Sequence, residues 1–228
     1  MKHTTIWIAA LMMLSTSCKL SRQIKARYSK KVYSHEYKIQ DKNVVYLELW
    51  STAKEEYYDD LRSKLVFYKS NSYEINGLRT CCPKSEDSIR IVTTKLKMRK
   101  LRGYARPKGP ESDDIIFSNF VKRPSWDKLG LANKPNWWTY SLSDLMDKFE
   151  QTHGKVELEE MDLNTSFSTR YRGDKSRKKE FKSFFIDETN RELIKRIQES
   201  PSKNLLILGM RFSHKDFEKK LLRIGVKK

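Results

Sequence analysis

The 228-residue chain has only three cysteines, four histidines and eight glycines. So few cysteines exclude a disulfide scaffold, and no CxxC pair or Cys/His spacing of a structural metal site occurs. The glycines form no GxGxxG or Walker-type loop, which removes the local motif for cradling a nucleotide phosphate. HExxH and GxSxG are missing too, so neither a zincin nor an α/β-hydrolase signature is present. The acidic pairs Asp59-Asp60 and Asp113-Asp114 are adjacent, so in a strand their carboxylates face opposite ways and neither makes a ready acid/base couple. Catalysis would need residues that converge only in space.

Long apolar runs are absent as well. The apolar stretch at residues 6–14 reaches about 14 Å as a helix, at about 1.5 Å per residue, against a hydrocarbon core of about 30 Å. It follows the polar start Lys2-His3 and precedes the small residues Ser15, Thr16 and Ser17, which is the layout of a signal peptide. Ser15 and Ser17 suit ordinary signal peptidase. Alternatively, Leu14-Ser15-Thr16-Ser17-Cys18 resembles a bacterial lipobox, with Leu one position further from the cysteine than usual, a loosened form like that of Bacteroidota lipoproteins. The resemblance covers residues 1–18 and implies a diacylglycerol thioether on Cys18, with cleavage just before it. Acylation removes the odd cysteine and leaves Cys81 and Cys82, an adjacent pair that reads as two reduced thiols in a turn before Pro83.

What the chain has in excess is positive charge: 47 Lys and Arg against 29 Asp and Glu, a net +18, which becomes +17 once residues 1–17, carrying only Lys2, are removed. Such an excess attracts polyanions over long range. Lys19, Arg22, Lys25, Arg27, Lys30 and Lys31 precede the first acid, Glu36, so residues 18–31 form a basic tether that would lie against an anionic leaflet. Apolar residues at 38% and aromatics at 11% supply a core for a single domain over 32–228, with a C-terminal lobe from about 180 as an alternative.

Periodicity then places the elements. Val45, Leu47 and Leu49 alternate as one face of a half-buried strand; residues 53–62 read as a short helix and 64–68 as a strand, with a turn at Asn76-Gly77. Residues 88–102 read as a long strand whose apolar parity changes from Ile89 and Ile91 to Leu96 and Met98, which calls for a bulge near Thr93-Thr94. Four prolines between 107 and 136 mark loops around a strand at 115–121, where Trp126, Trp137 and Trp138 serve either as a carbohydrate platform or as packed anchors. Leu142, Leu145, Met146 and Phe149 have helical spacing, with Ser143 able to cap and Gly154 able to end the helix. Residues 155–161 read as a returning strand.

From about 184 the pattern is β-α-β-α: a strand at 184–186, a helix from Asp187 closed by Pro201, a doubly buried strand at 205–208, and a helix after the Ser213-x-x-Asp216 box. The expected fold is α+β, with a mixed, largely antiparallel sheet and this C-terminal unit.

Two basic clusters are the candidate polyanion sites. In a strand Lys95, Lys97 and Arg99 would share one face, followed by Arg102; the row serves either as a binding ridge or as an edge guarded by its cations. The second holds Arg170, Arg172, Arg177, Lys178 and Lys179. A reduced nuclease constellation of Asp174, Glu180 and Lys182 lacks the strand-to-strand separation such sites need. His153, beside Gly154, reads as a helix C-terminal residue rather than a base. No catalytic residue, metal or cofactor is called.

The expectation is an exported, lipid-anchored bacterial envelope protein. Its basic, non-enzymatic domain would contact the membrane through its lipid and an anionic lipid, glycan or envelope protein through its surface; export argues against chromosomal nucleic acid. Secretion without an anchor, and hydrolysis of an anionic phosphodiester or glycan, are the alternatives. Cys18→Ala should abolish palmitate incorporation and block lipoprotein processing. An intact mass showing an unmodified Cys18 at the mature N-terminus would overturn the anchor.

Overall fold

The run Leu205-Leu206-Ile207-Leu208, apolar on both sides, lies at the centre of the protein's main sheet. The computed structural model describes residues 29–83, 85–102, 120–166 and 175–226. In chain order the strands are β1 (Ser34–Ile39), β2 (Lys42–Leu49), β3 (Thr52–Ala53), β4 (Glu74–Cys81), β5 (Val121–Lys122), β6 (Asn136–Ser141) and β7 (Asn204–Met210). The helices are α1 (Glu55–Ser70), α2 (Ser88–Arg102), α3 (Leu142–His153), α4 (Glu160–Asn164), α5 (Lys175–Glu199) and α6 (Arg211–Arg223). The sheet order is β1-β2-β7-β4-β6, and β3 pairs with β5 in a separate ribbon.

The mixed sheet and the C-terminal β-α-β-α order are as expected, but the balance is parallel: β2, β7, β4 and β6 run together, and β1 on β2 is the antiparallel pair of the main sheet. Parallel strands need covered faces. Tyr57, Tyr58, Leu61, Leu65 and Tyr68 of α1 cover one face over Val45, Leu47, Leu206 and Leu208. On the other, Leu193, Ile194 and Ile197 of α5 with Phe217 and Leu221 of α6 cover Val44, Tyr46, Leu205 and Ile207. Met98 and Leu101, Leu145 and Phe149, and Phe181, from α2, α3 and α5, build a third cluster around Tyr140 of β6. β2 is therefore buried on both sides rather than half-buried.

Several expected strands are helices. Residues 88–102 form α2: the Asp87 carboxylate accepts from the Arg90 amide at 3.3 Å, capping the first turn, and Thr94, Met98 and Leu101 make the buried stripe while Ile89 and Val92 stay exposed. The parity change that suggested a bulge was a helical period. Residues 64–68 continue α1, and Phe184-Phe185-Ile186 sit in the middle of the 25-residue α5, so the first strand of the C-terminal unit is β6. Asp187 is likewise internal to α5, held to Arg191 and Lys220. Residues 155–161 give a loop and the start of α4, held by a Glu159/Asp162 capping box. Ser213-x-x-Asp216 is inside α6 because that helix begins directly after β7. In α3 the cap is Ser141, whose hydroxyl accepts from the Asp144 amide, and Gly154 ends the helix at φ 81° as expected. The segment from about 180, read as a candidate lobe, supplies the central strand.

Asn76-Gly77 is not a turn but the interior of β4, where the Trp137 ring lies across the glycine. Gly209 plays the same part beside Tyr46: a Cβ there would overlap the fully buried ring at its hydroxyl end. Gly209→Ala should therefore lower stability by about 1–3 kcal/mol, the usual cost of overpacking. Urea denaturation of the two proteins measures it. An unchanged midpoint would show that Tyr46 does not occupy this place.

Candidate functional site

The parallel strands end together, and beyond the carboxyl ends of β2, β7 and β4 lies a crevice of about 710 Å³. Open α/β sheets place ligands at such ends, because the strands deliver loop and helix-start residues there. Leu49, Trp50 and Ser51 come from the end of β2, Arg79 and Thr80 from β4, and Gly209 and Ser213 from the β7–α6 junction. Arg102, from the end of α2, lies with its guanidinium 4.9 Å from the Phe185 ring centroid, and both line the crevice. Arg123 lies 4.3 Å from the Trp126 ring, whose neighbour Trp137 is 5.9 Å away. These contacts are in cation–π range, and they hold two guanidinium planes against aromatic walls. Lys134 completes a set of four cations on the lining, which includes no carboxylate, histidine or cysteine among the described residues. Burial lowers the Arg123 pKa from its ordinary value, yet a guanidinium stays charged at any ordinary pH.

Behind the crevice wall the sheet gathers three groups that the chain keeps far apart. His35 on β1 sits opposite Tyr46, diagonal to Glu48 on β2, and His214 reaches them from the first turns of α6. Glu48 Oε1 is 3.0 Å from His35 Nε2 and 3.4 Å from His214 Nδ1, and the Tyr37 hydroxyl is 2.7 Å from His214 Nε2. The two imidazoles stack at 3.6 Å. Burial pushes the Tyr37 phenol up from its ordinary value, so it stays protonated and serves as a neutral hydrogen-bonding partner. Tyr46, 3.1 Å from Ser213 Oγ, separates this cluster from the crevice that both of those residues line. No catalytic or metal residue was called from the sequence. The one available signal was His35, two positions from Tyr37 on a strand ahead of a Glu-bearing strand, and without the register it points nowhere.

The sequence-called cations scatter. Lys95 is exposed, Lys97 is 2.8 Å from Glu150, and Arg99, at 2% exposure, donates to the carbonyls of Asp162 and Thr165. On a helix Lys97 turns away from Lys95 and Arg99, and of those two only Arg99 is covered, by the segment from Asp162 to Thr165. Of this group only Arg102 joins the crevice. Arg177 donates to the carbonyls of His153, Gly154 and Lys155 and so closes the end of α3; Lys178 and Lys179 are exposed on α5. Cys18, Arg170, Arg172 and Asp174 lie outside the described residues. Glu180 and Lys182 are exposed on α5, and His153 closes α3 against Phe149. Cys81 and Cys82 are free thiols, and burial pushes the Cys82 thiol up, away from the reactive thiolate. Trp126 and Trp137 are half-buried, anchoring the loops while presenting part of their surface to the crevice. Among the described residues no helix is long and apolar enough to cross a membrane.

No family model, curated protein or solved structure matches the chain.

The position of Arg99 makes it a structural tie. Arg99→Ala should destabilise the fold by about 1–3 kcal/mol for each buried carbonyl left without its donor, whereas Lys95→Glu on the exposed side should stay within about 0.5 kcal/mol. Denaturant midpoints of the two variants check this, and equal effects would contradict the burial of Arg99 against the carbonyls of Asp162 and Thr165.

Proposed function

We propose that the protein is an exported, lipid-anchored bacterial envelope protein whose domain binds an acidic or phosphorylated glycan in the crevice at the strand ends. The observation that carries the binding reading is the lining itself: Arg79, Arg102, Arg123 and Lys134 beside Trp50, Trp126, Trp137 and Phe185, with no described carboxylate. Guanidinium groups bind phosphate and carboxylate through paired N–H donors, and aromatic faces take the apolar face of a sugar ring. Envelope localisation and the anchor rest on the pattern at residues 6–18 and the basic stretch after it. The net charge of +17 left after removal of residues 1–17 would raise the local concentration of such a ligand before it reaches the crevice.

The alternative, hydrolysis of an anionic substrate, draws on His35, Glu48 and His214 lying one side chain behind Tyr46 and Ser213. None of the three lines the crevice, so the groups that would meet a ligand there are cations, hydroxyls, an amide, aromatic rings and leucine side chains. That composition favours holding over cleaving.

Tryptophan fluorescence can follow titration with a uronic-acid oligosaccharide and a phosphorylated disaccharide, with their uncharged counterparts as controls. The charged sugars should bind and the uncharged ones should not. Arg79→Ala should weaken binding about tenfold to a hundredfold, from about 1.5–3 kcal/mol for a hydrogen bond to a charged group. Raising salt should weaken binding further, because the attraction is screened. Equal affinity for charged and uncharged sugars would overturn the proposal, and appearance of cleaved product in the same samples would replace it with the hydrolase.

A further inference from the structure

We propose that His35, Glu48 and His214 form a binding site for one divalent transition-metal ion of the zinc type. The inference stands on the geometry of these residues and is independent of what occupies the crevice. One donor atom from each of the three side chains lies within 4.8 Å of the other two. The carboxylate sits between the imidazole nitrogens at 3.0 and 3.4 Å. Ligand atoms around a tetrahedral zinc ion are separated by about 3.4 Å, the edge that follows from bonds of about 2.1 Å. Two of the three edges are thus already near the spacing a shared ion would impose, and the third is within 4.8 Å.

The donor chemistry selects the ion. Two imidazoles and one carboxylate are the mixed nitrogen and oxygen set that suits zinc, cobalt and nickel, and they leave a fourth position open. Magnesium and calcium take oxygen ligands and are excluded by two nitrogens out of three. His214 has the outer support that metal-bound imidazoles usually show: with Nδ1 toward the ion, its Nε2–H would donate to the Tyr37 hydroxyl, 2.7 Å away. Burial of Glu48 and His214, with side-chain exposures of 8% and 6%, keeps competing water from the ion.

One adjustment is needed. The rings stack at 3.6 Å with 23° between their planes, so their in-plane lone pairs run side by side rather than converging. Admitting an ion turns one ring outward. His35 has the room, with 22% side-chain exposure on β1 at the sheet edge, while His214 is enclosed. Tyr37, Tyr46 and Phe217 are the other rings packed at this place.

The test uses the untagged full chain, stripped with chelator and titrated with Zn2+ by calorimetry, with Mg2+ as the negative control. The expected result is one Zn2+ per chain and no response to Mg2+. His35→Gln, Glu48→Gln and His214→Ala should each weaken Zn2+ at least about a hundredfold, and Tyr37→Phe about tenfold to a hundredfold, the range for outer-shell partners. His153→Ala and the double variant Cys81→Ser/Cys82→Ser should leave the affinity unchanged. Circular dichroism in chelator separates lost ligands from lost fold. If the variants fail to fold, the visible spectrum of the Co2+-loaded wild type decides, since mixed nitrogen and oxygen ligation in a low-coordinate site gives an intense band. Absence of stoichiometric Zn2+ in the wild type would overturn the proposal, as would Zn2+ binding that survives all three ligand substitutions or is lost with the two cysteines.

Discussion

The arrangement of this protein depends on β7 lying between β2 and β4. Its backbone hydrogen-bonds to a parallel neighbour on each side, and Leu205 to Leu208 are buried toward both layers of helices. A strand from the C-terminal third thus completes a sheet begun by β2 and β4, so the sheet cannot close before β7 has been made. Such non-local pairing carries the loop-closure entropy of the intervening segment, which the apolar burial on both faces must offset. It also sets where α6 starts, and with it where His214 and Ser213 stand.

Charge is distributed by the same packing. Lys97, Lys100 and Lys148 find carboxylates across helix contacts, on Glu150, on Glu159 and Asp162, and on Glu188, and Arg191 pairs with Glu188 within α5. The carboxylates of Glu150, Asp162 and Glu188 are largely buried, so each needs its cation, and these pairs fix which cations are committed. The cations at the strand ends are different. Arg102 and Arg123 lie against aromatic rings, and the crevice they share with Arg79 and Lys134 presents no described carboxylate to them. Net charge alone would not distinguish the two groups.

Two glycines show how closely the crevice depends on the core behind it. Gly77 lets the Trp137 ring lie across β4, and Gly209 lets Tyr46 lie across β7, so one lining aromatic and one wall residue are placed by the absence of a side chain on the neighbouring strand. The hydroxyl of Tyr46 then meets Ser213 and divides the crevice from the His35–Glu48–His214 cluster.

How much of this was legible depended on local signals. The helix at 142–153 was readable because Leu142, Leu145, Met146 and Phe149 declare one face and Gly154 declares the end, and the buried strand at 205–208 because four consecutive apolar residues need cover on both sides. The helix at 88–102 was misread because its start is exposed: Ile89 and Val92 face solvent, so the apolar pattern there is not the core pattern. The site was less legible still. Arg102 was called as part of a basic row, but Arg79, Arg123 and Lys134 belong to separate segments that carry no pattern of their own. The sequence by itself determined the charge excess, the missing motifs, the α+β class and the elements whose own periodicity matches their burial. Only the tertiary structure decided that four separated cations share one crevice and that two histidines flank one glutamate. Side-chain proximity across strands follows from register and helix docking, which distant backbone hydrogen bonds and core packing set, and no local run of residues encodes them.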